Sequence, residues 1–161
     1  MRPATQGTES IHVDAPPERV YELVSDITRM GEWSPETGRC AWVNASGPAV
    51  GARFKASNRR GAARWSNTPQ VIAAEPGREF AFRRVAPGAG EVDWRYRMEP
   101  AGAGTTLTES YEVVRPSPAI VNWVSGVLLR VKDRDADLAK GMRQTLEGIK
   151  RAAERQPDEQ T

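Results

Sequence analysis

A glutamate interrupts the apolar face of the last strand that the sequence predicts. Residues 105–114 alternate in polarity, and this places Glu109 on the same face as Leu107, Tyr111 and Val113. An ionised carboxylate on an apolar face must pair, accept hydrogen bonds or shift its pKa upward. Glu109 is therefore a candidate general acid or base, or a polar anchor for a ligand. Two alternatives stay open: a buried pair that holds the strand to a helix, and a face that is exposed at this point.

Two tyrosines could take part in the same chemistry. Tyr111 shares the strand face of Glu109, and in the preceding predicted strand Trp94 and Tyr96 alternate with charged residues. A phenol hydroxyl near a carboxyl group can donate a hydrogen bond to a developing enolate oxygen. The candidate catalytic residues are therefore Glu109, Tyr96 and Tyr111.

Aromatic residues are numerous enough to line a cavity. The chain holds five tryptophans, and large rigid rings leave gaps more readily than they fill a compact core. Ligand cavities combine apolar walls with a few polar groups that set the orientation of the ligand. Taken singly, each tryptophan is more often a core residue than a ligand contact, and Asn67 could cap a bend instead. The predicted ligand-binding residues are Trp33, Trp65, Asn67, Phe82, Trp94, Tyr96, Glu109, Tyr111, Val124 and Met142.

Conventional catalytic and metal-binding motifs are absent from the sequence. It contains no G-x-S-x-G, Walker loop, G-x-G-x-x-G or H-E-x-x-H. The single histidine, His12, and the single cysteine, Cys40, exclude a His/Cys zinc site within one chain. We expect His12 to be solvated at a strand edge and Cys40 to be a small buried hydrophobe. The sequence therefore predicts neither a metal site nor a cofactor.

The charge and hydropathy of the chain narrow the classes of partner. The formal net charge of +2 over 161 residues is too small to indicate a nucleic-acid-binding surface. No run approaches the roughly 18 apolar residues of a membrane span, and residues 1–10 lack the apolar core of a signal peptide. We expect a cytoplasmic monomer or homodimer that takes a hydrophobic small molecule as its partner. Nucleic acid and stable insertion into a membrane are not expected.

The elements that must position these residues follow an α+β order. Residues 1–8 are polar and predict a flexible tail. Residues 9–14 alternate as a strand, and two small helices follow, the second at residues 27–33. Glycine and proline turns then separate short alternating segments, which predicts an antiparallel meander. Its segments are residues 39–44, 52–59, 63–75, 79–85, 91–99 and 105–114.

The last apolar-periodic segment predicts the helix that covers this sheet. Apolar residues recur there at three- and four-residue steps. This segment covers residues 118–153. One straight helix over all of it would be roughly 50 Å long, which is longer than a domain about 40 Å across. We therefore predict a lead-in at residues 120–131, a main helix at residues 133–154 and a polar tail from residue 155.

Several stretches of the chain together carry a family resemblance. They are IHVDAPPERVY at residues 11–21, VSD at 24–26, WSP at 33–35, VIAAEPGREFAF at 71–82, WRYRMEP at 94–100 and GTTLTES at 104–110. They resemble the START-like SRPBCC superfamily, and more specifically its polyketide cyclase/dehydrase and lipid-transport-like group. The resemblance is specific for fold and less so for function.

The resemblance implies one START-like domain at residues 9–154 with a helix-grip fold. In that fold a curved antiparallel sheet, of about seven strands by our segment pattern, wraps a long C-terminal helix around an apolar cavity. Two small helices lie between the first and second strands. Members bind lipids, sterols, polyketides or hormones, and some catalyse cyclisation, aromatisation or dehydration. No catalytic set carries over to this chain residue by residue.

Three functions are compatible with the sequence. The first is binding of a hydrophobic or amphipathic molecule, such as a lipid or polyketide, between the sheet and the C-terminal helix. The second is a cofactor-independent cyclase or dehydratase that uses Glu109 as acid/base and Tyr96 or Tyr111 as a donor. The third is a protein-interaction or toxin–antitoxin-type regulatory module, which a large exposed apolar patch would favour.

Overall fold

A computed structural model describes residues 6–86, 90–115 and 134–155 of the chain, in which antiparallel strands are the most frequent element. The strands within these ranges are β1 (Gln6–Val13), β2 (Thr37–Trp42), β3 (Phe54–Arg60), β4 (Ala63–Asn67), β5 (Gln70–Glu75), β6 (Glu79–Ala86), β7 (Gly90–Ala101) and β8 (Gly104–Arg115). The helices are α1 (Pro17–Ser25), a 3₁₀ helix (Ile27–Glu32) and α2 (Arg134–Glu154). This is the predicted α+β order, and it confirms the helix-grip fold.

The strands form two hydrogen-bonded sheets that meet at a short backbone junction. One sheet has the order β1-β8-β7-β6-β5 and the other has the order β2-β3-β4. Arg53 bridges Gln70, and the Val71 amide donates to the Ala52 carbonyl at 2.8 Å. The predicted segment 63–75 divides into β4 and β5 around Pro69, because proline has no N–H to continue a ladder. The approximate count of seven strands becomes eight within the described residues.

The N-terminal strand begins earlier than the sequence predicts. A flexible tail was expected through residue 8, but residues 6–8 already pair with β8, where Gln6 lies opposite Glu112 and Thr8 opposite Ser110. The tail prediction is therefore wrong for these residues. Their polar side chains obscured the strand because one face of this part of the sheet is turned to water, where apolar residues are not needed.

The two small predicted helices follow β1. Proline stands in the first turn of α1, where its missing N–H has no intrahelical partner to lose. Asp26 begins the 3₁₀ helix, and its side chain accepts a hydrogen bond of 3.2 Å from the Thr28 amide. Val20, Val24 and Ile27 are buried and attach this unit to the core.

Helix α2 closes over the sheet through one buried stripe. Met142, Leu146 and Ile149 are almost fully buried at helical spacing, which confirms the predicted gripping helix. Its C-terminal end is held by α1, because the Arg19 side chain donates to the Ala153 carbonyl at 2.7 Å. The predicted lead-in at residues 120–131 and the tail after residue 155 lie outside the described residues.

The core continues from the sheet into this helical layer. Phe54, Phe80 and Leu107 are fully buried beside Leu146 and Ile149. Burial of apolar surface of this kind is the main favourable term in folding. Within the described ranges, no helix combines the length and the apolar character needed to cross a membrane.

Candidate functional site

A cavity of about 540 Å³ lies between the sheets, α2 and the 30–37 segment. Its wall contains side chains from β3, β4, β6, β7 and β8 and from the first half of α2. The apolar and aromatic part of the wall consists of Met30, Phe54, Ala56, Trp65, Phe82, Trp94, Leu138 and Met142. A wall of this kind favours an apolar occupant.

The register of the five-stranded sheet explains which residues share the wall. Residues directly opposite each other in an antiparallel pair point to the same face of the sheet. Gly7, Tyr111, Trp94 and Phe82 form one such row, and Glu9, Glu109, Tyr96 and Phe80 form the next. The polar pair Tyr96 and Glu109 is therefore held next to a row of rings, on rigid strands rather than loops.

Glu109 is the buried acid of the cavity. Its side chain is 3% exposed, and the Tyr96 hydroxyl donates a hydrogen bond of 2.9 Å to Oε1. Oε2 is buried and has no hydrogen-bond partner among the described residues. Burial raises the pKa of Glu109 to about 8, although the bond from Tyr96 acts in the opposite direction. Glu109 therefore holds a proton at neutral pH, and that proton belongs on Oε2 because Oε1 already accepts.

Tyr96 stays protonated for a related reason. Burial raises the pKa of Tyr96 well above its ordinary value, and the neighbouring Glu109 raises it further. The phenol is therefore a fixed hydrogen-bond donor in this site, since the phenolate form would have to be solvated in an apolar wall.

Asn58 supplies a second unpartnered polar atom. The Thr37 hydroxyl donates to Asn58 Oδ1 at 3.1 Å, which fixes one end of the amide. Nδ2 at the other end is buried and has no hydrogen-bond partner among the described residues. Asn58 and Glu109 both belong to the cavity wall. Buried polar atoms are nearly always paired, so two unpaired ones in one cavity mark where a ligand or water would bind.

An ion cluster joins α2 to the β3–β4 hairpin at the edge of the cavity. The Arg60 guanidinium contacts Asp137 through two bonds of 2.6 Å and contacts Glu36 at 3.1 Å. Hydrogen bonding to Asp137 raises the pKa of Arg60 further, so this group is always charged. The cluster ties three segments together where the helix begins.

Most of the predicted ligand-binding residues lie in this wall. Trp65, Asn67, Phe82, Trp94, Tyr96, Glu109 and Met142 all line the cavity. The strand alternation used to select them places their side chains on the inner face of the sheets.

Trp33, Tyr111 and Val124 are not in the described wall. Trp33 is buried against α2. A Cβ built on Gly148 of that helix would lie 2.5 Å from the Cβ of Trp33. The Tyr111 ring packs behind Trp94 at 5.3 Å between ring centroids and covers Gly7 of β1. Val124 lies outside the described residues. Of the three candidate catalytic residues, Tyr96 and Glu109 therefore lie together in the described cavity wall and Tyr111 does not.

Several wall residues were missed by the sequence reasoning. Arg60 shares the inner strand parity of Phe54 and Asn58, and that parity was the available signal. Asp137 lies off the apolar stripe of α2, a position that predicts exposure to water, yet it holds Arg60. Gly141 and Thr145 also line the cavity, and only the rotation of α2 decides this.

The lone histidine and cysteine lie apart from the cavity. His12 is exposed on β1 and its Nε2 lies 2.9 Å from Asp14. Cys40 is buried in the core, and burial raises the pKa of its thiol to about 11. The described residues contain no group of three His, Cys, Asp or Glu side chains that could hold a metal ion.

A curved sheet that grips a helix around an internal cavity defines the class of helix-grip proteins. A family profile described as polyketide cyclase / dehydrase and lipid transport matches residues 4–154. The chain therefore belongs to this family, within the START-like SRPBCC superfamily. No curated protein matches it significantly.

Solved structures give the same result. The Polyketide_cyc-like protein Cgl2372 from Corynebacterium glutamicum is 36% identical, with 94% of this chain and 93% of that chain covered and a TM-score of 0.62. The Zhui aromatase/cyclase from Streptomyces sp. R1128 is 17% identical, covers 93% of both chains and has a TM-score of 0.71. Major latex-like protein 151 from Panax ginseng is 10% identical, covers 94% of this chain and 100% of its own, and has a TM-score of 0.68. The last two show a likeness of fold.

Proposed function

We propose that this protein binds a hydrophobic or amphipathic small molecule with an oxygen acceptor in the cavity between its sheets and α2. The observation that carries this proposal is the buried Glu109 Oε2, which has no described hydrogen-bond partner at the wall of a cavity that combines aromatic and apolar side chains with polar and charged ones. Membership of a polyketide cyclase/dehydrase and lipid-transport family supports the same class of ligand. A lipid or a polyketide-like molecule fits this description.

The size of the cavity suits one ligand of moderate size. Small-molecule sites commonly enclose about 300–1,000 Å³, and this cavity encloses about 540 Å³. Phe82 and Trp94 would supply apolar contact, because they lie opposite each other on adjacent strands. The hydrophobic effect would supply most of the binding free energy.

The polar groups would set the orientation of the ligand. With its pKa near 8, Glu109 is protonated at neutral pH and can donate from Oε2. Asn58 Nδ2 is also a donor without a described partner. Two donors call for acceptors, so carbonyl or ether oxygens are favoured over amines. An ammonium group would leave both donors unsatisfied.

A cavity-blocking substitution tests the proposal. Gly141 lines the cavity, and among the described residues a Cβ built there meets Pro35 Cγ alone, at 3.6 Å. Gly141→Phe should therefore extend a ring into the cavity, whereas Gly141→Ala should leave it open. A neutral propionyl-naphthalene probe, whose ketone oxygen can accept from the Glu109 and Asn58 donors, is titrated by fluorescence and should bind the alanine variant normally and the phenylalanine variant at least about tenfold more weakly. Native mass spectrometry of the freshly purified chain should show a co-purified lipid-like mass.

Equal probe affinity in the two glycine variants would contradict the proposal. So would a repeatedly ligand-free chain that no member of a lipid and polyketide panel stabilises against unfolding. Circular dichroism of Gly141→Phe checks that any loss of binding is not a loss of fold.

Catalysis is the second candidate function, and the pKa of Glu109 favours it. A carboxyl group with a pKa near 8 can both donate and accept a proton close to neutral pH. In a cyclase or dehydratase, Glu109 would serve as acid/base, and Tyr96 would donate to it or to an enolate oxygen. Tyr111 has no comparable position in the described wall. Glu109→Gln should then abolish turnover of a polyketide-like substrate while binding persists; unchanged turnover would exclude this role.

The remaining predictions have less support. A protein-interaction or toxin–antitoxin-type role gains nothing from the described surface, whose exposed large hydrophobic residues are Val43, Val50, Val85 and Val114. A cytoplasmic location and a monomeric or dimeric state stay predictions, which cell fractionation and sedimentation would test.

A further inference from the structure

One segment of the chain carries positive charge only. Residues 37–74 contain six basic residues and no acidic one. All 21 acidic residues and the other 17 of the 23 basic residues lie elsewhere. The small net charge of the whole chain is therefore the sum of one strongly basic segment and an acidic remainder.

Five of the six basic residues of this segment are gathered on one face of the β2-β3-β4 sheet, and the sixth, Arg60, turns to the cavity and pairs with Glu36 and Asp137. Arg53, immediately before β3, and Lys55 and Arg59 within it are exposed, while Phe54, Ala56 and Asn58 turn to the core and the cavity. On the flanking strands, Arg39 and Arg64 are exposed as well. We call these five residues the basic face. Strand alternation makes them fixed outward positions of a sheet rather than mobile loop residues.

The basic face has no acidic partners within the described residues. None of its five cations takes part in an ion pair there. By contrast, the outward arginines of the neighbouring sheet are neutralised: Arg83 pairs with Asp93, and Arg95 and Arg97 pair with Glu79. On the basic face Arg59 lies directly opposite Arg64. Like charges in this position destabilise a sheet unless an anion compensates them.

The basic face has exposed apolar residues at one end and residues of the cavity wall at the other. Val43 is 61% exposed, and its amide donates to the Arg53 carbonyl at 2.9 Å, so the two residues are neighbours at the edge of the face. Val50, in the same β2–β3 connection, is 70% exposed. At the other end of the sheet, Arg59 and Arg64 belong to the wall of the cavity. The face therefore runs from exposed valines to the cavity edge.

We propose that the basic face docks on the surface of an anionic lipid bilayer. Clustered cations gain about fivefold in membrane affinity each, because they lie within the negative surface potential of the lipid. Val43 and Val50 would enter the headgroup region, where apolar side chains lose contact with water. The contact is peripheral, and it requires no spanning segment. It also places the cavity edge beside a source of apolar ligand, and only this last point rests on the proposed function.

The bilayer is favoured over other polyanions by the composition of the surface. Nucleic-acid-binding surfaces are polar and basic, and exposed valines contribute nothing to phosphate contacts. An acidic protein would satisfy the charges but would not explain a cavity for an apolar molecule at the edge of the same face. Charge complementarity and exposed apolar residues together match an anionic membrane.

Vesicle binding tests this inference with a matched pair of variants. The full chain is sedimented with vesicles of phosphatidylcholine alone and with vesicles that also contain phosphatidylglycerol. We expect binding only to the second kind, and weaker binding at high salt because exposed charges are screened. Lys55→Gln/Arg59→Gln should bind about 25-fold more weakly. The control, Arg78→Gln/Arg151→Gln, removes two exposed cations elsewhere and should bind like the parent chain.

The remaining outcomes decide against the inference. Equal losses in the two double variants would show that net charge alone matters, and no binding to phosphatidylglycerol vesicles would exclude the docking surface. Retention on heparin or on an acidic polypeptide without vesicle binding would assign the face to another partner.

The cavity-blocked Gly141→Phe variant should still bind vesicles, so failure of the ligand proposal and failure of the docking proposal can be told apart. Equal thermal unfolding midpoints for the double variants check their folding.

Discussion

The Tyr96 hydroxyl and Glu109 Oε1 are joined by a hydrogen bond of 2.9 Å across the adjacent strands β7 and β8. Both side chains are almost fully buried, and this bond is the one described contact of the Glu109 carboxyl group. One oxygen of the acid is thereby fixed and the other is left for a ligand. A group held in this way on two rigid strands is pre-organised, which reduces the entropy lost on binding.

The buried acid should make the stability of the protein depend on pH. Glu109 has a pKa of about 8 in the folded chain against an ordinary value of 4.5, so the folded state binds more protons between these values. Its contribution to the free energy of unfolding is fully present below the lower value and is lost as the pH rises through the higher one. At about 1.4 kcal/mol per pKa unit, the loss approaches 5 kcal/mol at most.

Urea unfolding from acidic to mildly alkaline pH measures this loss. Glu109→Gln removes the titrating group at position 109, so the free energy of unfolding of this variant should change less with pH over that interval. Glu112→Gln is the matched control, because Glu112 is exposed on the same strand; it should retain the slope of the parent chain. Parallel profiles for all three chains would show that Glu109 does not titrate in this range.

Two glycines of α2 should respond in opposite ways to the same substitution. At Gly141 a new Cβ would meet Pro35 Cγ at an ordinary 3.6 Å, and alanine is favoured over glycine in a helix by about 1 kcal/mol. At Gly148 the new Cβ would lie 2.5 Å from Trp33 Cβ and 3.1 Å from Trp33 Cα, so α2 would have to move away from the end of the 3₁₀ helix. Overpacking of this kind destabilises by about 1–3 kcal/mol.

Denaturant midpoints of the two alanine variants decide the point. Gly141→Ala should raise the free energy of unfolding, and Gly148→Ala should lower it. The same sign at both positions would mean that α2 does not pack closely against Trp33 at Gly148.

The contrast between Tyr96 and Tyr111 shows how far the sequence could predict this site. Alternation along β8 placed Glu109 and Tyr111 on the inner face, and it placed Tyr96 on the inner face of β7. Alternation does not say which inner residues face a cavity and which pack on a neighbouring strand. That depends on the pairing of Tyr111 with Gly7, because a residue with no side chain leaves the space that the tyrosine ring fills. The strand order and register were needed to see it.

The position of α2 limited the sequence prediction in the same way. The apolar stripe predicted Met142 and Leu146 as buried, and both are. It could not place Trp33, because the contact of Trp33 with Gly148 depends on how closely the helix approaches the 3₁₀ helix and β2. Nor could it pair Asp137 with Arg60, which lie 77 residues apart in sequence. Periodicity defines the faces of an element, whereas contacts between elements depend on their packing.

The pairing of Arg60 with Asp137 should couple the β3–β4 hairpin to α2. Both side chains are about three-quarters buried, and the two bonds of 2.6 Å have the fork geometry of a strong arginine–carboxylate pair. A double-mutant cycle with Arg60→Gln and Asp137→Asn should give a coupling free energy of about 1–2 kcal/mol, reduced at high salt. The pair Arg29 and Glu32, three residues apart on the 3₁₀ helix, serves as the control and should couple by about 0.5 kcal/mol or less.

If the pairing of Arg60 with Asp137 holds α2 at the cavity edge, Arg60→Gln should also speed release of a bound probe measured by stopped flow. A coupling no larger than that of the control pair, with unchanged release, would show that this pair does not hold the helix over the cavity.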